Sequence, residues 1–286
     1  MTNNQGKAVV VASGDEHNGH PFALTCPDAW TDVNGQIHTP NALQLVIGAH
    51  WEDAWAYIGE RRRRARLIIM RMGDSIEGMH HGSTQHITGH LIEHETIHLK
   101  CWERALELCN FRPGYDHLLG VMGTVDHVGP ASESDERMLR TLLHADADDG
   151  RLTVPRLRIN VNGVTIEAWH KGPKPGNRDW TRPNALVATM RNYLYKNMKR
   201  GNAPTRYYLW GHYHEFCAAT LQDDDGHVIS EGFVCPAWKL KDEFVYTVNA
   251  EGLSNVGLWM ANIGADGQSR WEVLRLAVEQ DVERAL

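Results

Sequence analysis

Five short apolar runs, residues 8–12, 67–72, 118–122, 164–168 and 207–210, read as strands buried on both faces, and each one stops at side chains able to hold a metal ion. The stops are Asp15-Glu16-His17, Gly73-Asp74, Asp126-His127, Trp169-His170 and Gly211-His212-Tyr213-His214. Side chains at the carboxyl ends of neighbouring strands converge in space however far apart they lie in sequence. The chain is therefore expected to fold as an α/β protein with its chemistry along one sheet edge.

The segments between the runs support this order. Residues 41–64 have helical character, with Leu45, Trp51, Trp55 and Ile58 on an apolar face and arginines in the last turn, which suits the helix dipole. Strand, helix, strand is a βαβ unit, whose crossover helix packs over a parallel pair. Further helices are expected at 83–110, 132–144 and 183–200, the last opened by Pro183 and closed by Gly201. Asn162-Gly163 marks a hairpin between 157–159 and 164–169. Beyond Glu215 the pattern is extended, with strands expected at 216–221, 228–234, 244–248, 256–263 and 271–276 that complete a second sheet. Residues 18–40, rich in Gly, Pro, Asn and Asp, form a long loop beside the first stop. No repeat or linker divides the chain, so one domain over 1–286 is expected, with residues 1–6 disordered.

Composition excludes several classes. A net charge of −7 provides no global positive field to draw the protein onto nucleic acid or acidic lipid. The odd count of five cysteines, without a Cys-x-x-Cys pair, argues against a disulfide framework. No apolar run approaches the roughly 18 residues of a membrane span, and the polar amino terminus lacks a signal-peptide pattern. A cytoplasmic location follows as the expectation. Nothing in the sequence reports on oligomeric state.

Carboxylates joined by imidazoles suit a dinuclear site for Mn, Fe or Zn. Two ions about 3.5–4 Å apart can activate a shared water and stabilise an in-line displacement at phosphorus. In identity and order, Asp15/His17, Gly73-Asp74, His170 and Gly211-His212/His214 resemble the calcineurin-like metallophosphoesterase superfamily, whose blocks run Asp-x-His, Gly-Asp, Gly-Asn-His, a lone His and Gly-His-x-His. The third block here is Gly123-Thr124-Val125-Asp126-His127, similar to the Gly-Thr-x-x-His of phage-type members.

The resemblance implies a mixed two-sheet β-sandwich flanked by helices. It implies one ion held by Asp15, His17 and His214, a second by His170 and His212, and Asp74 as the bridge. The family asparagine's place falls to Thr124 or to Asp126, the stronger donor, which is preferred. His127 then assists the leaving group, Glu77 orients a ligand, and the activity is hydrolysis by a metal-bridging hydroxide. Two divalent ions are expected, Mn first, with Fe, Zn or Mg as alternatives. The expected substrate is a phosphodiester of DNA, RNA or a nucleotide. A phosphomonoesterase on the same site, or a non-catalytic scaffold, is the alternative.

Other clusters are weaker signals. His86, His90, His94 and His98 recur at helical spacing, and one or two of them are expected to face substrate from a helix near the site. His80 and His81 follow the second stop and could touch phosphate. Arg61–Arg64 read as a solvated helix end. The loop leaving His170 interleaves Lys171, Lys174, Arg178 and Arg182 with Trp180, a pattern suited to phosphates and a stacked base.

Overall fold

The computed structural model describes residues 6–79, 85–145, 150–241 and 254–278. The strands expected at residues 244–248, the terminal residues 1–5, and His80 and His81 lie outside them.

From the amino terminus, strand β1 (Ala8–Ser13) leads through a small hairpin, β2 (Trp30–Thr31) and β3 (Ile37–His38), into helix α1 (Ala42–Arg62). Then come β4 (Arg66–Arg71), α2 (Leu91–Leu108), β5 (His117–Val121), the one-turn helix α3 (Val125–Val128) and α4 (Glu133–Leu143). The second half contains β6 (Thr153–Val154), β7 (Leu157–Val161), β8 (Val164–Lys171), α5 (Asn184–Lys199), β9 (Tyr207–Gly211), β10 (Cys217–Gln222), β11 (Val228–Val234), β12 (Ser254–Ile263) and β13 (Ser269–Val278).

Two mixed sheets face each other. The first has the order β13-β12-β1-β4-β5-β6, with β1, β4, β5 and β6 parallel neighbours and β12 antiparallel to both β1 and β13. The second has the order β10-β11-β9-β8-β7, parallel through β11, β9 and β8 and antiparallel at both edges. The two-residue period of a strand explains the layering. On β1, Ala8, Val10 and Ala12 meet Ile166, Leu209 and Phe233 between the sheets, whereas Val9 and Val11 meet α1 and α2 outside. On β9, Tyr207 and Leu209 point between the sheets, and Tyr208 and Trp210 point toward Leu186 and Met190 of α5. Both faces of each central strand are thus covered, which is why the sequence reads there as unbroken apolar runs.

Asn41 starts α1 with a capping box: its side chain accepts from Gln44 N at 2.9 Å, and Gln44 Oε1 accepts from Asn41 N at 3.0 Å. The buried face is Ile47, Trp51, Trp55 and Ile58; Leu45, expected on it, is exposed because Ile47 precedes Trp51 by four residues and aligns with it. Trp51, Trp55, Trp102 and Trp238 pack edge to face at centroid distances of 4.8–5.5 Å, joining α1, α2 and the segment after β11. Each such pair adds about 0.5–1.5 kcal/mol beyond its buried area.

Two expectations are corrected. Helix α2 begins at Leu91, not near residue 83, because His90 N is held by Thr88 Oγ1 at 3.2 Å and Ile87 N by Gly19 O at 2.8 Å, which fixes residues 87–90 in a non-helical path. The carboxyl-terminal strands do not all join the second sheet. Only β10 and β11 do, whereas β12 pairs with β1 and carries β13 to the edge of the first. Trp259 and Ala261 of β12 face the inter-sheet core while Leu258 and Met260 face the helices, so β12 needs a doubly covered position. Among the described residues no helix is long and apolar enough to cross a membrane, and all five cysteines are free and buried.

Candidate metal centre

Parallel pairing of β1 with β4 continues past both strands. Asp15 N donates to Gly73 O at 2.9 Å, His17 N to Asp74 O at 3.1 Å and Asn18 N to Ser75 O at 3.0 Å, so the two ligand-bearing loops run side by side. Backbone geometry marks the same residues. Asp15, His17, Asp74, His212 and His214 all have positive φ, between 45° and 76°, a region that costs a side-chain-bearing residue about 1–3 kcal/mol. Gly73, with φ of 88°, lets the loop after β4 touch the one after β5: a Cβ there would lie 2.6 Å from Gly123 Cα.

The loops bring seven side chains into three overlapping groups, each with ligand atoms within 4.8 Å of one another: Asp15/His17/His214, His17/Asp74/His127 and Asp74/His170/His212. Nε2 of His17 and Nε2 of His214 are 3.0 Å apart. Nε2 of His170 lies 2.9 Å from Asp74 Oδ2. Oδ1 of Asp15 is buried without a hydrogen-bond partner, while Nε2 of His214, His17 and His170 face it at 3.4, 3.8 and 3.9 Å. Its other oxygen, Oδ2, accepts from His212 N at 2.9 Å.

The outer nitrogens of His170, His127 and His17 are committed. His170 Nδ1 is 2.7 Å from Met72 O and His127 Nδ1 is 2.6 Å from Glu77 O. A carbonyl only accepts, so both rings carry the proton on Nδ1 and turn Nε2 inward. His17 Nδ1 lies 3.0 Å from Glu77 Oε2. Imidazoles that bind metal characteristically give their other N–H to a carbonyl or carboxylate. Orphaned Asp15 Oδ1, the inward Nε2 atoms and this outer shell fit divalent ions. Asp15, His17 and His214 would hold one ion, His170 and His212 another, with Asp74 between them.

Charge is strongly coupled in the site. Burial opposes ionisation of Asp15, but His170, His17 and His214 hold its carboxyl well below the usual range; Asp74 is likewise lowered, against burial, chiefly by His170. Burial and Lys239 oppose protonation of His17, yet Asp15 and Glu77 push it up to about 9. His170 rises to about 10, with Asp74 and Asp15 overcoming its burial. His127 falls to about 3 through burial and the neighbouring His17, and His212 to about 4 through burial and His170.

Asp126 is not brought into the site. It is exposed on α3 and belongs to none of the groups found among the described residues. Thr124, the residue just before that helix, takes the inner place: its N–H lies 2.5 Å from Asp74 Oδ1, and its hydroxyl is 3.0 Å from both Asp74 oxygens. The reason is local backbone: Thr124 is extended, with φ −80° and ψ 149°, just before the helix, whereas Asp126 is already in the first turn of α3, so the two side chains leave the chain in different directions.

Nor do His86, His90, His94 and His98 form a candidate group among the described residues. His90 stands at the N-terminal boundary of α2 without a side-chain cap bond, and His94 is buried with Nε2 donating to Thr88 O at 3.0 Å. His98 donates from Nδ1 to Asn18 Oδ1 at 2.6 Å and accepts on Nε2 from Arg71 at 2.6 Å, which leaves no lone pair for a ligand or substrate. Arg62 is no solvated helix end: it is buried and bonds Asp116 Oδ1 at 2.6 Å and Asn110 O at 3.1 Å.

Two supporting residues escaped sequence reading. Lys239 is buried, with Nζ 3.0 and 3.2 Å from the Glu77 oxygens; its signal was a lysine set among apolar residues after β11. Asp135 of α4 accepts from Ser75 Oγ and from Gly123 N at 3.3 Å, with Arg71 Nη2 3.7 Å away. It thereby clamps the loops that carry Asp74 and Thr124, and one acid in an acidic helix start gives no sequence sign of this.

No protein-family profile matches the chain, and no curated protein does. Solved structures similar to it include zinc-complexed Vps29 from Entamoeba histolytica, at 10% identity and TM-score 0.34 over 94% of this chain and 98% of that one. A predicted phosphoesterase from Streptococcus pneumoniae matches at 11% identity and TM-score 0.32, covering 94% and 98%. A dimetal phosphatase from Danio rerio matches at 8% identity and TM-score 0.40, covering 93% and 98%. Likenesses this weak fix no function, which rests on the residues themselves.

Proposed function

We propose that the chain is a cytoplasmic, phage-type member of the calcineurin-like metallophosphoesterase superfamily that hydrolyses phosphodiesters of nucleic acid or nucleotides with two divalent ions, Mn first. The observation that carries the reading is the donor set: Asp15 Oδ1, orphaned and buried, sits among the Nε2 atoms of His214, His17 and His170, the last two oriented by fixed Nδ1 partners. The diester preference draws on the motif resemblance and on the basic, aromatic loop after His170.

When bound, the ions supply Lewis-acid chemistry, activating water and neutralising charge at phosphorus. The protein does the positioning. Glu77 fixes the ring of His17, Met72 O that of His170, and Thr124 holds the Asp74 carboxylate by two donors. His127, locked by Glu77 O, presents Nε2 beside His17 and Asp74. There it takes a proton from solvent when a phosphate anion arrives to stabilise the imidazolium, and gives that proton to the departing alcohol oxygen, which leaves the ring neutral again. The rate then depends on both carboxylates staying ionised and on the rings keeping their orientation.

Metal-free protein is expected to gain hydrolysis of bis-p-nitrophenyl phosphate on addition of Mn, and Asp74→Asn to abolish it. Activity that survives this substitution would overturn the assignment of Asp74. Faster turnover of p-nitrophenyl phosphate than of the diester would overturn the diester preference.

A further inference from the structure

The loop that leaves β8 beyond His170 carries Lys171, Lys174, Arg178 and Arg182 against one acid, Asp179, in a chain of net charge −7. Its two ends are tied to the segment that carries His212 and His214. The Tyr213 hydroxyl donates to Gly172 O at 3.0 Å, and Arg182 pairs with buried Glu215 at 3.0 Å. The loop is also closed on itself, by Gly176 N to Arg182 O at 3.2 Å and by a turn from Thr181 N to Arg178 O at 2.8 Å. Inside that turn stands Trp180, 74% exposed, with the Arg178 guanidinium carbon 5.8 Å from its ring centroid.

Six tryptophans of this chain are fully buried, which is where indoles contribute most to stability. Trp180 contributes little of that, yet its loop is held at both ends against the metal-ligand edge. An exposed indole flanked by cations is the composition that stacks a base and tracks a phosphate backbone. Because the protein as a whole repels polyanions, contact with one needs such a local basic stretch.

We propose that Trp180, with Arg178 beside it, is a stacking platform for an unpaired nucleobase of a nucleic-acid strand, whose phosphates pass Lys171 and Lys174 toward the metal centre. The inference rests on the phosphodiesterase reading and names its substrate class. DNA and RNA share the base and the phosphate that the platform would recognise.

Binding of the metal-loaded chain to fluorescein-labelled, phosphorothioate-linked oligothymidylate, oligouridylate and an abasic chain of equal length tests it by anisotropy. The wild-type protein should bind a base-bearing strand about tenfold more tightly than the abasic one. Trp180→Ala should erase that preference and Trp180→Phe keep most of it, with equal melting temperatures showing that all three proteins are folded. A preference for dT over U, or the reverse, tells which strand is the better ligand and supports the platform in both cases. No preference in the wild type, or one that persists in Trp180→Ala, overturns it. Hydrolysis of bis-p-nitrophenyl phosphate, which carries no nucleobase, reports on the phosphodiesterase reading alone, so the two can fail separately.

Discussion

Nδ1 of His17 lies 3.0 Å from Oε2 of Glu77, and Lys239 Nζ donates to both oxygens of the same carboxylate, at 3.0 and 3.2 Å. Glu77 therefore links an imidazole of the candidate centre to a lysine that lies 162 residues beyond Glu77 itself. Changing Glu77→Gln keeps the shape but weakens the acceptor and removes the negative charge that faces Lys239. Removing an outer-shell partner of this kind lowers metal affinity about 10- to 100-fold. Isothermal titration with Mn should show that loss, and unchanged affinity would mean that Glu77 does not set the orientation of His17.

Thr124 and Asp126 are separated by the same measurement. Thr124→Val removes the hydroxyl that lies 3.0 Å from both Asp74 oxygens while keeping the branched shape, and is expected to weaken binding of one of the two ions about tenfold or more. Asp126→Ala changes an exposed carboxylate outside the ligand groups and should leave both binding steps within about twofold, the usual reach of a surface change. A larger effect at Asp126 than at Thr124 would reverse the placement.

The contrast shows what the sequence could reveal. Strands covered on both faces leave unbroken apolar runs, so the ends of β1, β4, β8 and β9, and with them Asp15, Asp74, His170 and His212, were visible. Thr124 and Asp126 were not separable, because the distinction depends on where α3 begins: the residue just before it is extended and the one in its first turn is not. Asp135 and Lys239 were hidden for another reason: a buried charge is defined by its partner, and Arg71 and Glu77 lie far away in sequence. Sheet membership of β12 was equally invisible, since both of its faces are apolar and either sheet could have accepted it until β1 offered a free edge.

At the opposite end of the first sheet, Asp116 gives a pH-dependent stability that does not involve metal. It accepts from Arg62 at 2.6 Å, Arg112 N at 2.7 Å and Leu67 N at 2.8 Å. Burial works against its charge, but Arg62 and these amides lower its pKa below the ordinary value. A depressed folded-state pKa stabilises above the unfolded value of about 3.9 and is lost as pH falls through the folded value. Urea midpoints should therefore drop below about pH 5, and Asp116→Asn should flatten that acid limb. The variant should also be about 3–5 kcal/mol less stable at pH 7, because buried Arg62 loses its counter-charge and keeps only neutral carbonyl acceptors. An acid limb as steep as the wild type's would remove Asp116 from the account.

His127 donates its Nδ1 proton to Glu77 O at 2.6 Å, and its ring lies edge-on to His17 at 4.3 Å. With its pKa pushed down to about 3 by burial and then by His17, Nε2 is unprotonated at neutral pH before substrate arrives. It can return a proton to a leaving oxygen only after a phosphate anion has stabilised the imidazolium. This step matters when the departing alkoxide is a strong base and hardly at all when it is p-nitrophenolate. His127→Gln should thus slow turnover of an alkyl-linked dinucleotide about 10²- to 10⁴-fold, the range of positioned proton transfer, and slow bis-p-nitrophenyl phosphate far less. Equal losses on both substrates would show that the ring binds or orients phosphate without moving a proton, whereas a loss confined to the poor leaving group would place the proton on its Nε2.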